Sequence, residues 1–272
     1  MSDPIYDRVR RHHPGKLFSV PGKWRDNYHT NLSLGHFSRK ASYSLGDLKG
    51  SAQSKPAVLC AASPHLDDNV AILRDPGHAV VICCDVAIHA LVDNGVVPDY
   101  VVALDYSPIL ALHFRDIDTS HIGLIVPTTI HTDVINAWKG PVYWFNQTDN
   151  VPHQRRFLAQ LTRQSAYPAI INRGFVGAAA YLIARYMGAS PVILAGYGFA
   201  FLPGRRYCQG VYEVRGYSPP PPTADTSRQL AYYCRGFGYL TRDHDDVINA
   251  TEGGIFSKNN TSLTDAVNLY CR

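Results

Sequence analysis

From Pro56 onward, short apolar runs rich in β-branched residues alternate with longer mixed segments, and that rhythm leaves few architectures open. The runs are Ala57–Ala61, Ala79–Cys84, Tyr100–Leu104, Gly123–Pro127, Val142–Phe145, Pro191–Ala195 and Val247–Asn249. Helical segments fall between several of them: Asp67–Arg74, Val86–Asn94, Thr132–Trp138, Pro152–Arg163 and Gly174–Gly188. Two more, Ser227–Tyr239 and Ser262–Tyr270, come later. Strands that are apolar throughout, rather than at alternate residues, belong to a parallel sheet covered on both faces. The sequence therefore predicts a doubly wound, Rossmann-like α/β fold, with a mostly parallel sheet and helices on both faces. In the Gly174–Gly188 helix, Val176, Ala180, Ile183 and Met187 share one face and Arg185 points away from it.

The organisation around this core is simpler. Residues 1–55 read as an N-terminal arm with some helix, leading into one domain over residues 56–272. The arm carries a basic cluster from Arg8 to Lys16, which a solvated surface explains. Between Phe199 and Asp225 lies a long connection containing four consecutive prolines, Pro219–Pro222, which cannot continue a helix or a central strand. A connection of that length in a compact domain is either a substrate-covering loop or a surface excursion.

Composition excludes several function classes. With 46% apolar and 18% charged residues the chain is neither disordered nor fibrous. A net charge of +4 suits an anionic ligand but is no nucleic-acid signature. The six cysteines include no C-x-x-C pair, so a structural zinc site is disfavoured, and buried free thiols are expected for Cys60, Cys83 and Cys84. No apolar segment follows the basic N-terminal residues, and the longest apolar stretch, Phe175–Phe201, is broken by Arg185, Pro191 and glycines. Neither a secretory leader nor a membrane span is expected, which points to the cytoplasm.

In open parallel sheets the ligand sits beyond the carboxyl ends of the strands, near the point where strand order reverses. The residues after each run are therefore the candidates. Ala62-Ser63-Pro64-His65 joins the first strand to the first helix, where backbone N–H groups and a serine suit a phosphate, or simply cap a helix. Asp85 and Asp105 close two further strands, where a carboxylate binds ribose, a base edge or Mg²⁺, or caps the helix that follows. Thr128–His131 and Asn146–Gln147 end two more. His131 is either a general base or the first residue of a helix. Gly174-Phe175-Val176-Gly177 and Gly196-Tyr197-Gly198 admit close backbone approach, to a ligand or to a neighbouring element. Glu252, beside Gly253 and Gly254, sits at the end of the last strand. There is no P-loop, no G-x-S-x-G elbow, no H-E-x-x-H helix and no complete dinucleotide fingerprint.

In their order and spacing these segments resemble the 6-hydroxymethylpterin diphosphokinase MptE-like family, which includes the flagellar motility accessory factors. The resemblance runs from about residue 30 to 260 and rests on Ala62-Ser63-Pro64-His65-Leu66-Asp67, on Asn94-Gly95-Val96-Val97-Pro98-Asp99 and on Val102-Ala103-Leu104-Asp105. It continues through Gly174–Gly177, Leu194–Phe201 and Asn249–Gly254. Two departures stand out. Ala62 replaces a glycine and His65 is inserted before Leu66; later, Gly198 stands where the family pattern has an aspartate.

The resemblance implies group transfer to or from a nucleotide. One branch moves diphosphate from ATP to a pterin, with Mg²⁺ held by Asp85, Asp105 or both. The other is similar in fold to bacterial sialyltransferases and uses CMP-activated nonulosonic acids. The reading carried forward is a nucleotide-dependent transferase of glycosyl type, acting on a protein or glycan acceptor without nucleic acid or membrane partners. His131 and Asp105 are its expected catalytic residues. Its expected nucleotide contacts are Ala62, Ser63, Pro64, His65, Asp85, Asn172, Gly174, Gly196, Tyr197 and Glu252. The diphosphokinase is the alternative, and a non-catalytic nucleotide- or glycan-binding module is a third reading, prompted by Gly198 and the altered first turn.

Overall fold

The computed structural model describes residues 23–148, 155–171, 174–211 and 225–272. The strands are β1 (Ser42–Ser44), β2 (Ala57–Cys60), β3 (Val80–Cys84), β4 (Tyr100–Val102), β5 (Gly123–Pro127), β6 (Val142–Thr148), β7 (Ala169–Ile171), β8 (Val192–Ala195) and β9 (Val247–Asn249). All their pairings are parallel. The sheet order is β1-β6-β5-β4-β3-β2-β8-β9, and β7 continues the edge of β6 that β1 begins. The chain thus steps outward from β2 to β6, then returns to lay β8 on the opposite side of β2. Strand order reverses between β2 and β8.

The seven apolar runs of the sequence all lie in this sheet. Their continuous apolar character has a direct cause: alternate residues feed two separate cores. Val58, Cys60, Val81, Cys83, Leu124 and Val126 face one side. There they meet α2 (Ile88–Asp93), α3 (Thr132–Ala137) and α7 (Leu263–Tyr270). Leu59, Ile82, Cys84, Val102, Ile125 and Leu194 face the other. That side is covered by α5 (Val176–Tyr186) and by Phe237 of α6 (Arg228–Thr241). The fold is doubly wound α/β, as the sequence predicts. The cysteines are free, and burial pushes the Cys60 thiol up to about 12, so it is an inert core residue.

Three features were not foreseen. β1 and β7 have three residues each, too short for a two-residue period to register. The expected helix over Asp67–Arg74 is instead two 3-10 turns, Pro64–Leu66 and Val70–Arg74. The segment before residue 56 is not a simple lead-in. It contributes β1 to the sheet, and its helix α1 (Lys23–Ser33) is fixed to the strand rim by two buried asparagines. The Asn27 amide donates to the carbonyls of Tyr106 and Thr129 (both 3.1 Å). Asn31 does the same to Thr128 (3.3 Å) and Ile130 (2.9 Å). Helix α4 (Arg155–Gln164) packs Phe157, Leu158 and Leu161 beside Trp24 of α1. Among the described residues no helix is long and apolar enough to cross a membrane.

One polar tie secures the β9 edge. Asp246 accepts hydrogen bonds from Arg185, at the end of α5, and from Ser190 (2.7 Å). Burial alone would raise the Asp246 carboxyl, but these bonds and the Arg185 charge hold it below the usual carboxylate range. A lowered folded-state pKa stabilises above the unfolded value of about 3.9, and the contribution is lost as pH falls through the folded value. We expect Asp246→Asn to lower Tm by roughly 2–4 °C at neutral pH. In thermal melts the gap to wild type should narrow as pH falls below the unfolded carboxylate value of about 3.9.

Candidate functional site

The ends of β2, β3, β4 and β8 open into a cleft of about 650 Å³ at the reversal of strand order. Its floor is made by Ala61-Ala62-Ser63 after β2, Asp85 after β3, Asp105 after β4, and Gly196-Tyr197 after β8. A second hollow of about 680 Å³ lies between the 3-10 helix Pro108–Phe114 and α3. It includes none of these strand ends.

Close packing makes the floor. Gly196 has φ +71°, and a Cβ there would stand 2.1 Å from the Ala61 carbonyl oxygen, so only glycine lets β8 pass the end of β2. Tyr197 is buried; its N–H donates to Thr251 Oγ1 (2.9 Å) and its hydroxyl to the Gly177 carbonyl (3.0 Å). That second bond sets the start of α5 against the floor. Gly177 has no room for a Cβ, which would meet Phe175 at 2.8 Å and Tyr197 at 2.9 Å. Among the described residues no side chain caps α5, whose first residues, Val176 and Gly177, line the cleft. The positive end of an eleven-residue helix therefore faces the site.

The walls are aromatic and basic. Phe175 stacks on Tyr233 of α6 with centroids 5.0 Å apart, and Phe199 meets Phe175 edge-on at 5.5 Å. The Arg206 guanidinium lies 5.1 Å over the Phe201 ring. Arg228, at the start of α6, also borders the cleft. This surface offers stacking faces and positive charge to one ligand.

The first turn is held from behind. Asp67 accepts from Arg205 (2.6 Å) and from the Gln209 N–H (3.0 Å), while the Cys208 N–H donates to the Ala62 carbonyl (3.1 Å). Burial raises the Asp67 carboxyl, with Gln209 and Arg205 pulling the other way. These bonds dock the beginning of the long connection onto the turn after β2. The prolines 219–222 lie outside the described residues.

The two departures from the family pattern are spatially one. A Cβ on Gly198 would stand 2.8 Å from Ser63 Oγ and 2.9 Å from His65 Nδ1, and one on Gly253 would stand 2.2 Å from His65 Cδ2. The inserted imidazole fills the space that a side chain at position 198 needs.

The structure gathers some of the expected site residues and disperses others. Ala62, Ser63, Asp85, Asp105, Gly196 and Tyr197 share the cleft, and Gly174, at φ +87°, leads into it beside Tyr233. Pro64 is buried in the first 3-10 turn and His65 stands behind Ser63. Asn172 lies outside the described residues. His131 does not line the cleft: it is the N-cap of α3, where its Nδ1 accepts the Asp133 N–H (3.1 Å). Glu252 is also absent from the lining; its carboxylate accepts the Leu263 N–H (2.7 Å) at the start of α7. Thr128, Thr129, Asn146 and Gln147 are buried and bonded to one another beneath α1, so that part of the rim is closed. Phe175, Phe201, Arg206, Arg228 and Tyr233 were not anticipated. They follow the strands at a distance, and only the Phe199-Ala200-Phe201 run and the long connection hinted at them.

A doubly wound parallel sheet with a cleft at its switch point is the arrangement in which open α/β folds place their ligands. Residues 29–204 match the family described as 6-hydroxymethylpterin diphosphokinase MptE-like, and the chain belongs to that family. A similar solved structure is the MAf glycosyltransferase from Magnetospirillum magneticum AMB-1, at 18% identity and TM-score 0.63. The match covers 90% of this chain but 39% of that one, so this chain spans well under half that protein's length. No curated protein matches significantly.

The exchange at positions 65 and 198 is testable. Gly198→Asp alone should lower Tm strongly, by an overpacking cost of about 1–3 kcal/mol. His65→Ala combined with Gly198→Asp should be less destabilised than the sum of the two single variants, measured by a double-mutant cycle in urea.

Proposed function

We propose that this protein is a nucleotide-dependent transferase of glycosyl type, taking a sugar from a CMP-activated, nonulosonic-acid-like donor. One observation carries the reading: the start of α5 and the turn after β2 line one cleft walled by aromatic rings. The N–H groups of the helix start and Ser63 would bind the donor phosphate. The stacked Phe175–Tyr233 pair would offer an aromatic surface to the base, and Arg206 or Arg228 would balance the charge that grows on the leaving phosphate. The acceptor hydroxyl would attack the anomeric carbon as the bond to phosphate breaks. Its proton would pass to Asp105, an exposed carboxylate on the cleft rim, because His131 does not line the cleft. The family and the glycosyltransferase of similar fold both support group transfer.

A diphosphokinase is the second reading, and Asp85 and Asp105 favour it by bordering the same cleft. Each carboxylate accepts a nearby backbone N–H, Val86 at 2.7 Å and Ser107 at 2.9 Å. Among the described residues no group of three or more His, Cys, Asp or Glu side chains suits a metal. A Mg²⁺ here would rest on these two carboxylates, with phosphate and water completing the shell, a usual arrangement for that ion. Bound there, it would neutralise phosphate charge during transfer.

Thermal shift with CMP, CTP and ATP, each with and without Mg²⁺, separates the two. Stabilisation by cytidine nucleotides without Mg²⁺ supports glycosyl transfer; stabilisation by ATP only with Mg²⁺ supports the diphosphokinase. No shift with any of them contradicts both. Arg228→Ala should weaken binding of the stabilising nucleotide by roughly ten-fold in calorimetry.

A further inference from the structure

We propose that His65 is a positioning residue, which holds the Ser63 hydroxyl as a hydrogen-bond donor to an anionic group in the cleft. The inference rests on the cleft being a nucleotide site, and adds how that site recognises phosphate. Ser63 lines the cleft, and its Oγ lies 2.9 Å from His65 Nδ1. The imidazole itself does not line the cleft. It is wedged between two glycines, Gly198 against its Nδ1 and Cε1 edge and Gly253 against Cδ2 and Nε2. Neither glycine could carry a side chain without striking the ring, so the ring keeps one nitrogen on the serine. The serine backbone is fixed too, its N–H donating to the Gly196 carbonyl at 3.3 Å.

A serine hydroxyl has one proton to give. If Nδ1 is bare, it takes that proton, and only oxygen lone pairs face the cleft. If Nδ1 carries a proton, it donates to Oγ, and the serine O–H turns outward. A bound phosphate selects the second arrangement, and a protonated imidazole enforces it. Burial is the largest influence on His65 and pushes its pKa down; Asp68, on the same turn, raises it, and Arg205, from the docked connection, lowers it. The imidazole therefore favours its neutral form at pH 7 and gains a proton only below the ordinary histidine range. Because the protonated ring is an obligate Nδ1–H donor, anion binding should strengthen as pH falls.

The experiment is calorimetric titration between about pH 5.5 and 8 with the methyl phosphodiesters of CMP and AMP, whose phosphates do not titrate in that range, and with the parent nucleosides as uncharged controls. Wild type should bind one diester more tightly at the acid end, and its nucleoside without that slope. Ser63→Ala and His65→Ala should each lose roughly ten-fold in diester affinity together with the slope, and the double variant should lose no more than either single one. His65→Asn, whose amide can present an N–H near the Nδ1 position, should recover affinity but not pH dependence, which separates positioning from a fold defect. Additive losses, a slope that persists in His65→Ala, or wild-type affinity in Ser63→Ala overturns the inference while leaving the nucleotide reading intact. Failure of wild type to bind either diester overturns both.

Discussion

The approach of β8 to β2 is the constraint on which the remainder of the molecule hangs. Gly196 lets the backbone after β8 pass within touching distance of the Ala61 carbonyl. Tyr197 then points into the sheet core rather than outward and anchors both Thr251 and the first turn of α5. The floor of the cleft, the placement of the helix start and the seating of the last strand all follow from that one contact. A bulkier residue at position 196 would force apart the two strands at which the order reverses, and the cleft exists only there.

Electrostatics and shape then divide the work. The helix start and the two arginines supply positive potential without burying a full charge, which would carry a heavy desolvation cost. The aromatic walls supply contact area and order. Phe175 belongs to both systems: it precedes α5 and stacks on Tyr233.

The sheet was legible because its strands are buried on both faces, and a double demand for apolar residues leaves an unbroken signature. The position of the cleft was legible because parallel α/β sheets concentrate polar residues beyond their strand ends. What remained hidden depended on contacts between distant segments. His131 and Asp105 look alike in the sequence, each following a strand, but Asp105 opens onto the cleft while His131 closes the end of α3. Thr128, Thr129, Asn146 and Gln147 also fit the rule, and nothing local shows that α1 seals them. Glu252 has the right neighbours for a ligand contact and serves α7 instead. The long connection gave no periodicity from which Arg206 could be placed. The relation between His65 and Gly198 needed coordinates, because residues 133 positions apart share one small volume only after folding.

The two asparagines of α1 have a bearing on how the chain can be divided. Each amide bridges a pair of main-chain carbonyls at the far side of the rim, and four acceptors depend on them. A fragment begun at the first apolar run would strip away that bracing and β1 together. Its ragged margin would be prone to sticking to other copies, so a self-sufficient unit has to keep both α1 and β1.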